Sequence, residues 1–542
     1  MELMSINKWY KMYKLFLFGL LPVFFWLNML PAQQGRNQQS RVYERDEIFS
    51  LLSRLYIMSG EVNPAQDYIL TLQDAKEFYD SWRERNGDTD RGLKNIIQQL
   101  DELFSAAHDA VDVNLGVGVD YLHHTVPDCT QSDPFYNAFR DKDFSVKYEN
   151  RERFFDLQVN APLHKNLFLS TRTTFRNDWK KMNTRQNDFP RDLKEININV
   201  NERAALLFHF NRIKLYTGLD RISVGVGNLG KLLISEGMPE THFLQLQYRY
   251  KDKLAFNHYI ASMRNTTLED ERPKIMYIHR ITYRFFNRVS VSLSEMLMTN
   301  QSINAAYINP FLFFHNIYDY PEQRNVLTAA DAEVTPLAGI KLYGSFAVDE
   351  IDVESLEENG DKGREAWGFL AGIEWVYPFH LENSVFTAEY VKLTEWLYNH
   401  GFPWFDYYTL NFVFEEKQGL RDTEEFHRFS GHPLGANAIA FLSRMRWNSF
   451  DFHFRFIQQG EIPIFSRSFS RPVSDQKENR IVLGINYHKW FWNNKLELNT
   501  AIFYTSCKDF HQNPGLDADY TEFWIGLKYN LFSFKWDMKD LF

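Results

Sequence analysis

The chain has 542 residues, 16% of them aromatic, with a formal net charge of −10 at pH 7. Mean hydropathy is negative and repeated apolar runs of about 20 residues are lacking, which excludes a polytopic helical membrane protein. The acidic balance gives no footprint for nucleic-acid binding.

One apolar run stands out, Leu15 to Leu30. It follows Lys8, Lys11 and Lys14 and ends at Pro31-Ala32-Gln33, the pattern of a secretory signal peptide cleaved after Ala32. With no Cys near that point, a lipoprotein is not expected. The domain reading is therefore a signal peptide over 1–32, a helical region over 33–108 and a β region over 109–542.

Helical periodicity begins at Asp46. Ile48, Leu51, Leu52 and Leu55 share one face of a first helix that Gly60 ends. Thr71 and Asp74 give a capped start to a second, carrying Ala75, Phe78, Tyr79 and Trp82. Leu93, Ile96, Ile97, Leu100 and Phe104 mark a third. Three short helices bury little surface alone, so the bundle is expected to dock on the β region.

At Val111 the period becomes two and stays so. Val111, Val113, Leu115, Val117 and Val119 alternate with polar or small residues, as do Phe450, Phe452, Phe454 and Phe456. Counting such runs gives about eighteen strands joined by alternating short and long connections. An even count with short turns at one end and long loops at the other predicts a mainly β fold. The expected architecture is an antiparallel transmembrane β-barrel of the cell outer membrane, preceded by the small helical bundle. The long connection 394–434 has room for another hairpin.

The last stretch alternates as Phe523, Ile525, Leu527 and Tyr529, then changes phase to Phe532, Phe534 and Trp536, and the chain ends on Phe542. An exported chain closing on an aromatic resembles the final strand of an outer-membrane barrel, whose terminus addresses the barrel assembly machinery. The phase change at Leu531-Phe532 marks a β-bulge within one continuous strand, the favoured reading, or a strand that ends near Leu531 with a separate tail. Closure would set first and last strands side by side, and Cys129 and Cys507 in the flanking outer loops. A disulfide between them and two free thiols are both open readings.

Charges on the predicted inner face include Arg280, Arg284, Asp349, Glu389, Arg444, Asp451 and Arg455. Inside a barrel such charges pair into networks that hold a plug or line a pore. The loop after Asp349 is acidic, but its spacing does not fit a twelve-residue calcium loop. Sequence gives no cofactor. There is no H-E-x-x-H and no G-x-S-x-G, and Ser430 with His432 has no supporting context, so no enzyme is expected.

Gly225-Val226-Gly227-Asn228-Leu229-Gly230 matches G-x-G-x-x-G, yet it lies in an outer loop without the βαβ context a dinucleotide site needs. Its glycines instead suit close packing or unusual backbone shapes. With Leu232, Leu233 and Ser235 the run resembles a signature of the capsule assembly Wzi family. Matching features continue through His279-Arg280, Ser294-Glu295, Asn309-Pro310, Tyr343, Asp349, Glu389-Tyr390, Tyr398-x-His400 and Pro433-Leu434-Gly435. Arg54-Leu55-Tyr56 and Gly60 resemble the start of the family's helical region, and Val224 departs from the Trp of many relatives. The resemblance implies an eighteen-stranded barrel whose outer loops plug its mouth, a periplasmic bundle, and a lectin-like role toward capsular polysaccharide without catalysis.

The aromatics Trp396, Tyr398, Trp404 and Tyr407 are candidate glycan contacts, since rings stack on sugar faces and their polar tips reach hydroxyls. The other reading is that they pack as the core of the plug. The expected partners are surface polysaccharide, outer-membrane lipid and the assembly machinery. The competing function is a porin-like barrel for small polar solutes.

Overall fold

The computed structural model describes residues 38–44, 46–66, 69–87, 93–126, 145–146, 152–177, 196–235, 238–263, 273–309, 312–314, 324–351, 365–398, 408–414, 424–462, 475–492 and 495–536. The signal-peptide reading, Cys129, His400, Trp404, Tyr407 and Phe542 lie outside them.

Three helices come first: α1 (Glu47–Met58), α2 (Leu72–Asn86) and α3 (Lys94–Ser105). At the start of α2 the Asp74 N–H donates to Thr71 Oγ1 at 3.1 Å, and the Thr71 N–H donates to the Asp74 carboxylate at 2.7 Å. That is the reciprocal cap the sequence implied. Beyond α1 the chain turns at Gly60, whose φ of +74° suits a residue without Cβ. Leu52, Leu55, Tyr56, Phe78, Trp82 and Leu100 close the small core.

The strands come next: β1 (Val111–His124), β2 (Phe155–His164), β3 (Leu167–Asn177), β4 (Ile196–Phe210), β5 (Ile213–Asp220), β6 (Thr241–Tyr250) and β7 (Leu254–Met263). The chain continues through β8 (Lys274–Phe285), β9 (Val289–Thr299), β10 (Arg324–Leu337), β11 (Ile340–Ile351), β12 (Glu365–Val376) and β13 (Ser384–Leu393). After them come β14 (Tyr408–Phe414), β15 (Glu424–Phe429), β16 (Ala438–Trp447), β17 (Phe450–Gly460), β18 (Lys477–Phe491), β19 (Leu496–Lys508) and β20 (Ala518–Trp536). Eighteen of these form one antiparallel sheet that closes on itself. The hairpin β14–β15 is a separate two-stranded ladder inside the 394–434 connection. The barrel count read from alternation therefore stands.

Closure runs through β1 and β20, paired from Val111↔Trp536 to His124↔Glu522. The ladder shifts between Leu115↔Phe532 and Gly116↔Asn530, leaving Leu531 as the extra residue. That bulge keeps both halves of β20 in phase: Phe523 and Leu527 face outward before it, and Phe532, Phe534 and Trp536 after it.

Outward faces are exposed and apolar. Phe450, Phe452, Phe454 and Phe456 form one such row, and Ile281, Tyr283 and Phe285 another. The inward face differs from one side of the barrel to the other. From β5 through β13 it is lined by Tyr216, Met276, Met296, Leu327 and Leu370, which pack against material filling the lumen. From β17 through β1 it is polar.

The bundle sits against the short-turn end. Val62 N–H donates to the Asn287 carbonyl at 2.8 Å, and Gly339 N–H to the Ile57 carbonyl at 2.8 Å. Arg249 reaches Glu77 at 3.0 Å. Lys214 of β5 is buried against Asp74 and also donates to the Ile69 carbonyl at 3.0 Å. Burial opposes the charge on Asp74, but Lys214 and the Thr71 hydroxyl together hold its carboxyl below the ordinary range.

Candidate functional site in the plugged lumen

The glycine-rich loop between β5 and β6 is what fills the apolar side of the lumen. It doubles back on itself: Val224 and Ile234 exchange both backbone hydrogen bonds, at 3.0 and 3.1 Å. Ile222, Val224, Val226, Leu232, Leu233 and Ile234 are all buried. Gly225 and Gly227 have φ of +108° and +132°, where a side chain is strained. A Cβ at Gly227 would meet the Gly230 carbonyl oxygen at 1.8 Å, and one at Gly230 would meet His432 Nε2 at 2.2 Å. The glycines serve close packing, as their loop context predicted.

The tip of this plug rests in a cage on the barrel wall. Asn228 and Leu229 donate their N–H groups to Glu389 at 2.6 and 3.1 Å. Tyr343 donates its hydroxyl to the same carboxylate at 2.7 Å. The Asn228 side-chain amide donates to Glu374 at 3.0 Å, and Lys341 pairs with Glu374 at 3.0 Å.

The base of the plug is tied to the N-terminal segment. Asp220, the last residue of β5, accepts from Arg41 at 3.0 Å, Tyr43 at 2.6 Å and Tyr216 at 2.5 Å. Farther along, Lys231 pairs with Glu44 at 2.6 Å. The segment that precedes the bundle thus enters the lumen from one end and meets a loop entering from the other.

A second insert caps the plug. Tyr398 is fully buried; its hydroxyl donates to the Leu232 carbonyl at 2.6 Å and accepts the His432 N–H at 3.2 Å. Burial pushes the Tyr398 hydroxyl pKa up. Tyr398 therefore presents no face to a glycan, and its expected stacking role gives way to plug packing. Trp396 is half-buried at the margin of this insert. His432 is enclosed, and burial lowers its pKa to about 3. Ser430 is likewise enclosed, so neither residue of that pair is open to a substrate.

The remaining lumen candidates fall into separate groups. Arg280 is wholly buried and pairs with Asp331, also donating to Ser294 at 2.9 Å. Asp349 accepts the Tyr398 N–H at 3.2 Å, and with Glu389 it belongs to the plug seat. Arg284 donates to the Val62 carbonyl at 3.3 Å and so belongs to the bundle interface. Arg444 and Asp451 pair with each other at 2.5 Å, and Arg455 lies 5.7 Å from the centre of the Phe503 ring. Cys507 is buried with Val126, Phe510 and Tyr520.

Sequence reading missed Asp331, Asp220, Lys231 and the Asp74–Lys214 pair. Asp331 shares the inward parity of Leu327, Ala329 and Glu333, so strand alternation could have found it. The others depend on which distant segment enters the lumen, and no local pattern carries that.

A closed barrel with an apolar outer band and lumen-filling loops defines the class: an outer-membrane β-barrel closed by its own chain. Among solved structures it is similar to Wzi of Escherichia coli, described as an outer membrane protein involved in group 1 capsule assembly and a carbohydrate-binding β-barrel. The match has a TM-score of 0.54 and 13% identity, covering 91% of this chain and 99% of that one. The resemblance drawn from the motifs is thus met at the level of the fold. The Pseudomonas aeruginosa outer membrane protein opdK matches with a TM-score of 0.42 and 8% identity, over 79% of this chain and 99% of that one. Acinetobacter baumannii OccAB2 matches with a TM-score of 0.41 and 12% identity, over 78% and 98%. No family model and no curated protein matches the sequence.

Proposed function

We propose that this protein is a non-conducting surface barrel that holds or organises polysaccharide through its outer loops. The observation that carries the reading is the seating of the plug. Glu389 and Tyr343 fix its tip, Tyr398 its upper side, and Glu44 and Asp220 its base. A loop held at so many points is built to stay, whereas a solute pathway needs a lumen that water can cross. The fold shared with a carbohydrate-binding barrel supports the glycan as ligand class.

In this reading the short turns and the bundle face the periplasm, lipid surrounds the apolar band, and β20 is the strand that addresses the assembly machinery. Trp396, Trp404 and Tyr407 are the glycan contacts. A glycan array with the purified barrel tests the ligand, and changing these three to Ala should abolish the signal. Planar-bilayer recording tests the closed lumen: large steady openings in the unmodified protein would sink the reading in favour of solute transport.

A further inference from the structure

The inner face from β17 through β1 has an exposure gradient. Along β18, inward-facing His488 is exposed and Asn486 half-buried, whereas Gly484 and Val482 are buried. Along β19 the sequence is Glu497 and Asn499 half-buried, then Ala501 and Phe503 buried. On β20 Lys528 is half-buried and Gly526 and Trp524 are buried; on β1 Asn114 is half-buried and Gly116 is buried. β18, β19 and β20 lose exposure in the same direction, from the short-turn end inward, whereas on β1 Asp112 at that end is itself buried beside His108. Above the transition, Val146 of the first outer loop packs on Trp524 and Phe503, and the Ser145 and Val146 N–H groups donate to Glu522 at 2.8 and 3.1 Å. The space is therefore a blind vestibule, closed above by Val146, Phe503 and Trp524 and entered from the end where the bundle docks.

Its chemistry is specific. The charges are largely paired within the wall: Arg444 with Asp451, His488 with Glu497 at 3.0 Å, and Lys528 and Arg172 with Asp156 at 2.9 and 2.8 Å. These pairs leave no single-signed field to draw an ion. Between them stand side-chain amides. Asn486 lies 3.0 Å from His453, and Asn499 donates to Glu152 at 2.8 Å. Trp490 lies opposite Glu497 in the strand pairing, half-buried near the entrance, its ring perpendicular to that of His488.

We propose that this vestibule is a second binding site, one that takes a neutral, hydroxyl-rich saccharide segment from the short-turn side. The exposed His488 and the half-buried Glu497 and Asn499 offer donors and acceptors to vicinal hydroxyls, and Trp490 offers an apolar face to a sugar ring. The site is separate from the outer-loop contacts, so either can fail alone.

The test is titration calorimetry on the full chain in nanodiscs, with neutral hexasaccharides of glucose, galactose and mannose as probes and hexagalacturonate as the anionic control. At least one neutral probe should bind, and the outer-loop variant carrying Trp396→Ala, Trp404→Ala and Tyr407→Ala should bind it equally well. Trp490→Ala and the pair His488→Ala with Asn499→Ala should each weaken it tenfold or more, while Trp490→Phe keeps most of the affinity. Heat-modified gel mobility confirms that each variant is folded. The proposal is overturned if the outer-loop variant binds no neutral probe, if the vestibule variants bind as before, or if the anionic control binds more tightly. Loss of binding in the outer-loop variant alone supports the outer-loop reading instead.

Discussion

Gly230 has a buried imidazole where a methyl group would go. Alanine there would place Cβ 2.2 Å from His432 Nε2, and that ring is enclosed on its other sides. Overpacking of this kind costs about 1–3 kcal/mol. Gly230→Ala should leave the barrel folded while protease cuts appear within the plug loop. His432 adds a pH dependence. Its folded pKa of about 3 lies below the ordinary 6.5, so an opened plug takes up a proton more readily than the seated one. Seating is complete above about pH 6.5 and weakens as pH falls towards 3, and bilayer recordings should show openings appearing across that window. His432→Gln should remove the dependence. The glycine spacing was legible in the sequence because close packing leaves a composition trace. Its partner was not, because His432 lies some two hundred positions away and a lone histidine gives no hint of what covers it.

At the scale of elements, alternation was enough to count strands, because a wall with lipid on one side and lumen on the other forces period two. The bulge in β20 was legible for the same reason. Deleting Leu531 would remove the extra residue and leave Asn530 and Phe532 on the successive partners Gly116 and Leu115, so Phe532, Phe534 and Trp536 would still face lipid. Inserting one residue after Leu531 would instead turn them inward and Ser533 and Lys535 towards lipid, since a one-residue slip moves every side chain to the other face. The insertion should fail to give the heat-modifiable barrel band, whereas the deletion and Leu531→Ala should give it. That the bundle docks was legible from its small size, but the pair that holds α2 was not, because Lys214 reads as an ordinary strand lysine until Asp74 is set against it. Asp74→Ala would leave Lys214 buried without its partner, at a cost of about 3–5 kcal/mol. Amide exchange in α1–α3 should rise sharply while the barrel stays protected. Because the Asp74 carboxyl is held below its ordinary value, its contribution is present above about pH 4 and is lost as pH falls further. The bundle should therefore loosen at a lower pH than the plug.

Across the whole molecule, the lumen divides into an apolar half occupied by the plug and a polar half that opens toward the bundle. Charge alone does not separate the two, since Arg280 and Arg444 read alike in sequence; one is sealed under the plug and the other is half-exposed. The plug half is testable electrically. Glu389→Ala removes the acceptor for Asn228, Leu229 and Tyr343 at once, and should turn a silent barrel into one with frequent openings in planar bilayers.

The meeting of Lys231 with Glu44 gives the chain a mechanical property. Residues 40–42 are bound to residues 70–72 by backbone hydrogen bonds, from Val42 to Leu70 at 2.7 Å and from Leu72 to Ser40 at 3.0 Å. A load path thus runs from the outer loop, through the ion pair, into a bundle braced against the far rim. Tension applied outside is met as compression at that rim, so the bundle acts as a washer and the plug as the bolt it retains.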